Sequence, residues 1–311
     1  MRRGRYPFIF SFLALPLLVY GGFVLWPYLQ TVGYSFTDWG ARSPEFEFIG
    51  VANYRQLVAD EAFRGAFANS LFFFLTLPIA TIALALFFAF MLNVGGRGNR
   101  PGVRGVVGSS FYRVVFFFPF VLSIAIVAVV WRNVLRTDSG GLANSFLMAL
   151  GVVDPGRPLL FLSDPRLVRW LLLAVAVWTA TGFFMVLFSA AMASIPKDLF
   201  EAAMLDGAAR GQQFFRITLP LLRDTVSVAW VYLGIMALDM FALVYALTPR
   251  QGAAHEASRV MATQVVETGF GTFRPGQFGY ACAMGVSLAT FTLILAIIQL
   301  RVLRRERIEY A

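Results

Sequence analysis

Residues 201–220 read Glu-Ala-Ala-Met-Leu-Asp-Gly-Ala-Ala-Arg-Gly-Gln-Gln-Phe-Phe-Arg-Ile-Thr-Leu-Pro, between two long apolar runs. Asp198 sits one turn earlier, where a negative charge suits the positive end of a helix dipole, and Pro196 suits a helix's first turn. Leu199, Ala202 or Ala203, and Met204 or Leu205 then recur at helical spacing, with Glu201 on the other side. Gly207 follows Asp206 as a helix stop, since glycine accepts positive φ without penalty. A second short helix is expected over 208–217, anchored by Phe214, Phe215 and Ile217, before Pro220 restarts the chain. The 195–223 stretch thus reads as a helix-Gly-helix elbow. Its small residues, Ala202, Ala203, Gly207 and Ala208, allow close backbone approach. Two uses fit such an elbow: a cap on the helices around it, or a docking element for a partner.

The surroundings are built for lipid. Of 311 residues, 59% are hydrophobic and only 14% charged, against about 25% charged in soluble domains. Mean hydropathy is +0.71. A helix needs about 20 apolar residues to cross the hydrocarbon core. Six candidate spans meet that need, at 8–30, 67–93, 113–132, 168–194, 224–247 and 279–301. The fold class expected is an all-α integral membrane protein, a single transmembrane domain over 1–311. The uncharged run from Tyr6 to Thr37 exceeds the roughly 7–15 apolar residues of a cleaved signal, so it reads as a retained first span. Segments 53–65 and 139–151 have the spacing of short amphipathic helices on the membrane face.

Asp239 falls inside the fifth span. A mid-helix Asp costs about 2.5–3.5 kcal/mol on the insertion scale, while each Leu, Ile, Phe or Val returns roughly 0.3–0.6. Ten such residues between Val226 and Leu247 return about 3–6 kcal/mol, so the span inserts, with Asp239 facing protein or water and not lipid.

The net charge of +9 follows topology, not nucleic acid. Arg2, Arg3 and Arg5 lie at one end of the chain, and Arg301, Arg304, Arg305 and Arg307 at the other. Arg97, Arg100, Arg104 and Arg113 fill the second connection; Lys197, Arg210, Arg216 and Arg223 fill the fourth. The remaining connections are longer and carry matching acids. The positive-inside rule places both termini and the elbow in the cytoplasm.

Several chemistries are excluded by missing residues. Lys197 is the only lysine and no Gly-x-x-x-x-Gly-Lys-Ser/Thr loop occurs, so the chain does not cradle nucleotide phosphates in that way. A single histidine, His255, argues against His-based metal sites and a Ser-His-Asp triad. Asp239 stands alone at depth, where a proton relay keeps several ionisable groups. The Gly207-x-x-x-Gly211 spacing lies in a polar segment and is no helix-dimer motif. Cys282, the only cysteine, forms no intrachain disulfide.

The elbow resembles the loop of membrane subunits of bacterial binding-protein-dependent ABC importers. Glu201, Ala202, Ala203, Asp206, Gly207, Ala208, Phe214, Ile217, Leu219 and Pro220 fall in that pattern, as does Ser194-Ile195-Pro196. Ser35-Phe36-Thr37-Asp38-Trp39, Phe48-Ile49-Gly50-Val51-Ala52-Asn53-Tyr54 and Leu247-Thr248 are similar to carbohydrate-uptake permeases such as those for maltose and glycerol-3-phosphate. Pro249-Arg250-Gln251-Gly252 departs from the Gly-Gly-Pro that often follows Leu-Thr there. The resemblance implies that the elbow is a coupling helix seated in a separate ATPase, with Glu201, Ala202, Ala203, Asp206, Gly207, Ala208, Ile217, Leu219 and Pro220 as its coupling residues. It further implies a second permease subunit forming a heterodimer, two ATPase subunits that bind ATP and Mg, and an extracytoplasmic solute-binding protein. The chain itself is then non-catalytic and holds no cofactor.

For the solute path, aromatic faces and hydroxyl or carboxylate acceptors are the groups that grip sugars. Trp178, Thr181, Asp239 and Tyr245 are the candidates. The competing reading of Trp178 and Asp239 is plain packing and a hydrogen bond to a neighbour. The function expected is a permease subunit of a sugar importer. Alternatives are a carrier driven by an ion gradient and a membrane scaffold without flux.

Overall fold

The computed structural model of the chain describes residues 5–41, 45–94, 106, 108–138, 140–248, 252–271 and 276–303. Arg2, Arg3, Arg97, Arg100, Arg104, Arg304, Arg305, Arg307 and the 249–251 segment lie outside the described residues. Helix α1 (Arg5–Tyr20) passes through a π turn at Gly21–Leu25 into α2 (Trp26–Tyr34). Then come α3 (Ala52–Ala59), the long α4 (Glu61–Val94), α5 (Ser109–Val121), α6 (Ile124–Val134), α7 (Leu142–Ala149) and α8 (Val168–Met192). The elbow holds α9 (Lys197–Leu205), α10 (Arg210–Gln213), a π turn at Phe214–Thr218 and α11 (Leu219–Leu221). The chain closes with α12 (Arg223–Leu238), α13 (Phe241–Leu247), α14 (Ala253–Ser258), α15 (Met261–Phe270) and α16 (Phe278–Leu303). Among the described residues β structure is confined to isolated bridges, one of which pairs Thr37 with Phe48 in antiparallel fashion.

Four helical stretches are long and apolar enough to cross a bilayer: Phe12–Tyr34, Glu61–Asn93, Val168–Met192 and Phe278–Arg301. Two bent pairs, Ser109–Val121 with Ile124–Val134 and Arg210–Leu221 with Arg223–Leu238, bring the total to six. Two of the expected spans are not single helices. The 113–132 span breaks after Pro119: Leu122 and Ser123 go extended (ψ 139° and 146°), and the halves diverge by 99°. Proline removes a backbone donor and Ser123 restarts the helix by accepting the Ile126 N–H at 3.5 Å. The 224–247 span breaks at Asp239, whose backbone (φ −99°, ψ 38°) leaves the helical region. Asp239 is thus a helix terminus, not a mid-helix residue, and the insertion sum for a continuous span does not describe it. Of the expected surface helices, α7 matches 139–151. The 53–65 helix is divided, because Asp60 is extended (ψ 112°) and its Oδ1 accepts the N–H groups of Ala62 and Phe63 at 2.9 and 3.3 Å, opening α4.

The contacts divide into two compact units, 1–64 with 261–291 and 65–260 with 292–311. In the first, two sequence motifs meet. Asn53 donates to the Ser35 and Thr37 carbonyls at 2.9 and 2.8 Å, and Ser35 Oγ lies 2.8 Å from the Tyr54 hydroxyl. Trp39 packs on Tyr34 and Phe278, with centroids at 4.6 and 4.9 Å. The Tyr280 hydroxyl donates to Asp60 Oδ2 at 2.7 Å. None of the best apolar window of Phe12–Tyr34 is buried in this chain.

In the second unit, Phe73, Leu77, Leu172, Phe184, Met185 and Phe188 are fully buried. Helices α5 and α8 lie so close at Gly182 that a Cβ there would overlap the Phe116 carbonyl and stand 2.8 Å from Phe117 Cα. Asn69 holds the α14 end by donating to the Arg259 carbonyl at 2.9 Å. Arg113 Nη2 donates to Asn93 Oδ1 at 2.8 Å, tying α5 to α4.

The Gly182 contact yields a test. Forcing a methyl against backbone costs about 1–3 kcal/mol. Gly182→Ala is therefore expected to lower the detergent-solubilised protein's thermal midpoint by at least about 3 °C. Gly285→Ala, with nothing near its added Cβ, serves as control and leaves the midpoint unchanged or higher. Equal midpoints for the two variants would contradict the packing.

Candidate functional site

The elbow is held from inside and presents its apolar side chains outward. Ile195, Phe200, Gln213, Thr218 and Leu222 are buried. Gln213 Nε2 donates to the Ala208 carbonyl at 3.0 Å, and Phe214 meets Phe90 edge-on at 5.1 Å. The turn between its helices is a complete glycine C-cap. Gly207 has φ 75°, its N–H reaches the Met204 carbonyl at 3.1 Å, and the Ala208 N–H reaches the Ala203 carbonyl at 2.8 Å. The next helix starts with the Ala209 N–H bonded to Gln212 Oε1 at 2.8 Å.

The helical stripe differs from the sequence expectation. Leu199 and Met204 are exposed, Leu205 is 90% exposed, and Phe200 is the residue of α9 that turns inward. Phe215, expected as an anchor, is 66% exposed. Large apolar side chains on a polar loop are costly to leave in water, and together these form an exposed apolar patch. Around it Glu201, Ala202, Asp206 and Gly207 are exposed, and Ala203, Ala208, Ile217 and Leu219 are half-buried. Pro220 is exposed and sits in the first turn of α11, so the break toward α12 falls at Leu222 instead.

The four solute-path candidates do not converge. Trp178 and Thr181 line an open, apolar crevice of about 550 Å³ with Ala80, Leu84, Phe116 and Trp170. The Thr181 hydroxyl is spent on its own helix, donating to the Val177 carbonyl at 2.6 Å. Trp178 stands edge-on to Trp131 at 5.5 Å. The Trp131 contact is of the kind the packing reading of Trp178 expects. Tyr245 stacks on Phe241 at 5.1 Å, away from that crevice. Asp239 is exposed at its helix break and, among the described residues, its carboxylate has no hydrogen bond or ion pair.

The sequence reading missed an aromatic row in the same unit. Phe120 of α5 stacks on Phe183 of α8 (4.7 Å, 22°), and Phe183 stacks on Tyr232 of α12 (6.2 Å, 28°).

Residues 49–308 match the family described as binding-protein-dependent transport system inner membrane component. The chain is 37% identical over 292 residues to the diacetylchitobiose uptake system permease protein NgcF of Streptomyces coelicolor, spanning 94% of this chain and 81% of that relative. It is 31% identical over 295 residues to the probable ABC transporter permease protein YurN of Bacillus subtilis, spanning 95% and 94%. Its fold is similar to that of a chain in a bacterial ABC transporter involved in the import of the acidic polysaccharide alginate. The TM-score is 0.78 at 24% identity, over 97% of this chain and 96% of the other. The match over most of the chain, joined to the apolar spans and the structured elbow, makes this protein a member of the family of inner-membrane components of binding-protein-dependent transport systems.

Proposed function

We propose that this chain is a permease subunit of an ATP-driven sugar importer and that the 195–223 elbow couples it to a separate ATPase. The exposed apolar group on that elbow carries the reading. Leu199, Met204, Leu205 and Phe215 stand out from a loop whose other side is anchored by Phe200, Gln213 and Thr218. A simple cap would turn those four inward. Glu201, Ala202, Ala203, Asp206, Gly207 and Ala208 form the rim of the contact, with Ile217, Leu219 and Pro220 bracing it from the second helix. Glu201 pairs with an arginine of the partner.

The chain binds no nucleotide of its own; ATP and Mg belong to two ATPase subunits. The elbow and both termini face the cytoplasm, and a solute-binding protein docks outside. The importer's other wall is a second permease, and the unburied first span leaves apolar surface for it and for lipid. The solute class follows from relatives named for sugars. They are NgcF, the alpha-glucoside transport permease AglF of Rhizobium meliloti (28% identical over 300 residues) and the lactose transport permease LacF of Rhizobium radiobacter (26% over 296). A solved relative of the fold was captured in complex with an alginate pentasaccharide-bound periplasmic protein. An ion-gradient carrier would need no such elbow and lacks support from the family match.

Two measurements follow. Truncating or charging a central apolar contact costs about 2 kcal/mol or more, so Leu205→Asp with Glu201→Lys is expected to cut solute-stimulated ATP hydrolysis at least about tenfold and to loosen co-purification with the ATPase. Normal assembly and hydrolysis in that double variant would overturn the coupling role. At Gly207, a residue that tolerates positive φ is distinguishable from one that does not. Gly207→Asn is expected to keep amide-exchange protection over 197–205, whereas Gly207→Val loses it at a cost of about 1–2 kcal/mol. Equal protection in both would contradict the glycine cap.

A further inference from the structure

The open apolar crevice of about 550 Å³ lies between α4, α5 and α8. It exists because Ala80 of α4 and Ala174 of α8 place methyl groups where their neighbours carry Phe, Leu or Trp, so the helices leave volume unfilled. Its flank is open, with Trp170, Ala174 and Trp178 all exposed. Along α8 it runs from Trp170 to Thr181, roughly 16 Å at 1.5 Å per residue. One leaflet of a 30 Å hydrocarbon core is about 15 Å deep. Volume over length gives a mean cross-section of roughly 34 Å², less than half the roughly 80 Å² of an α-helix 10 Å across. The slot therefore admits a hydrocarbon chain and not a helix. It also makes no call for a polar ligand. Thr181 supplies its hydroxyl, already donated to the Val177 carbonyl at 2.6 Å, and the rest of the lining is aliphatic or aromatic.

A charge stands at the mouth. Arg169 lies in the first turn of α8, at the end remote from the elbow. Its guanidinium carbon is 4.4 Å from the centroid of the Phe72 ring, and Phe72 meets Trp170 edge-on at 5.0 Å. Stacking on Phe72 sets the guanidinium plane and keeps the N–H donors, which lie in that plane, off the ring. Among the described residues no carboxylate pairs with Arg169. Trp170, beside it, is of the type that settles at headgroup level. A cation at that level above an apolar slot one leaflet deep complements an amphiphile with a negative head. A phosphate accepts two N–H groups of an arginine at once, and a zwitterionic lipid carries a competing cation of its own.

We propose that this crevice binds one anionic phospholipid in the leaflet opposite the elbow, with an acyl chain lying from Trp170 to Thr181 and the phosphate held by Arg169. The site requires only that α4 and α8 cross the bilayer, and it stands apart from the coupling and solute readings.

The test uses the full chain, isolated from its own membrane with the subunits that accompany it. It is placed in nanodiscs of phosphatidylglycerol and phosphatidylcholine in equal amounts, one or the other carrying a photoreactive group at the end of an acyl chain. Crosslinks mapped by mass spectrometry are expected within 80–88 and 170–181. They are expected to be at least about fivefold more frequent from phosphatidylglycerol, the factor that one arginine near the surface gives an anionic lipid. Arg169→Gln is expected to equalise the two probes, and Arg169→Lys to keep most of the preference. Ala174→Phe fills the slot and is expected to cut labelling by both probes at least about tenfold, since each excluded methylene changes affinity roughly fourfold. Equal labelling by the two probes in the unmodified chain, or an unchanged preference in Arg169→Gln, overturns the anionic site. No labelling within the two segments means that protein covers the crevice, and overturns the lipid site altogether.

Discussion

Hydrocarbon offers no partner to a peptide N–H or C=O, so each one at membrane depth must be satisfied by protein or reach water. This constraint sorts the chain. Where the apolar runs are uninterrupted, as in Glu61–Asn93 and Val168–Met192, the helix satisfies itself and the helices pack. Where Leu122, Ser123 and Asp239 leave helical geometry, the freed groups need another solution. The tight approach of α5 and α8 at Gly182 fixes the first break relative to the aromatic residues of α8. The elbow meets the same demand in another way: its glycine cap and short helices use side chains such as Gln213 and Gln212 to finish their bonding.

The elbow and the breaks then divide the work. The elbow combines a rigid interior (Phe200 under α9, Phe214 against Phe90) with an apolar exterior led by Leu205. Thr218 and Leu222, both buried, join the elbow to α12 beyond the closed turn at Gly207. Helix α12 carries Tyr232 and ends at Asp239.

Much of this was legible in the sequence. Four spans stand close to where apolar length put them, because hydropathy over about 20 residues is a strong constraint. Gly207 caps its helix as its place after Asp206 implied. The segments Ser35–Trp39 and Phe48–Tyr54 were noticed as motifs, and Asn53 supplies the physical reason, since its amide ties two carbonyls of the first segment. Other features were illegible. Hydropathy carries no trace of the 99° bend between α5 and α6 or of the backbone break at Asp239, so the third and fifth spans looked continuous. Helical spacing cannot choose between Leu199 and Phe200 as the inward residue, since both belong to apolar stripes offset by 100°. Trp178 looked like a solute residue by type alone, whereas its neighbours are apolar and Thr181 is bonded to its own helix. The stacked row of Phe120, Phe183 and Tyr232 needs three distant segments brought together, which periodicity within one helix does not reveal.

The central claim is that this chain guides solute but draws its power from another subunit through the elbow. Liposome uptake measures it most directly, comparing the purified chain alone with the chain assembled with its ATPase and binding protein. The account predicts no accumulation by the chain alone under any ion gradient, and accumulation by the assembly only when ATP is supplied. Accumulation by the lone chain, or by the assembly without ATP, would contradict it.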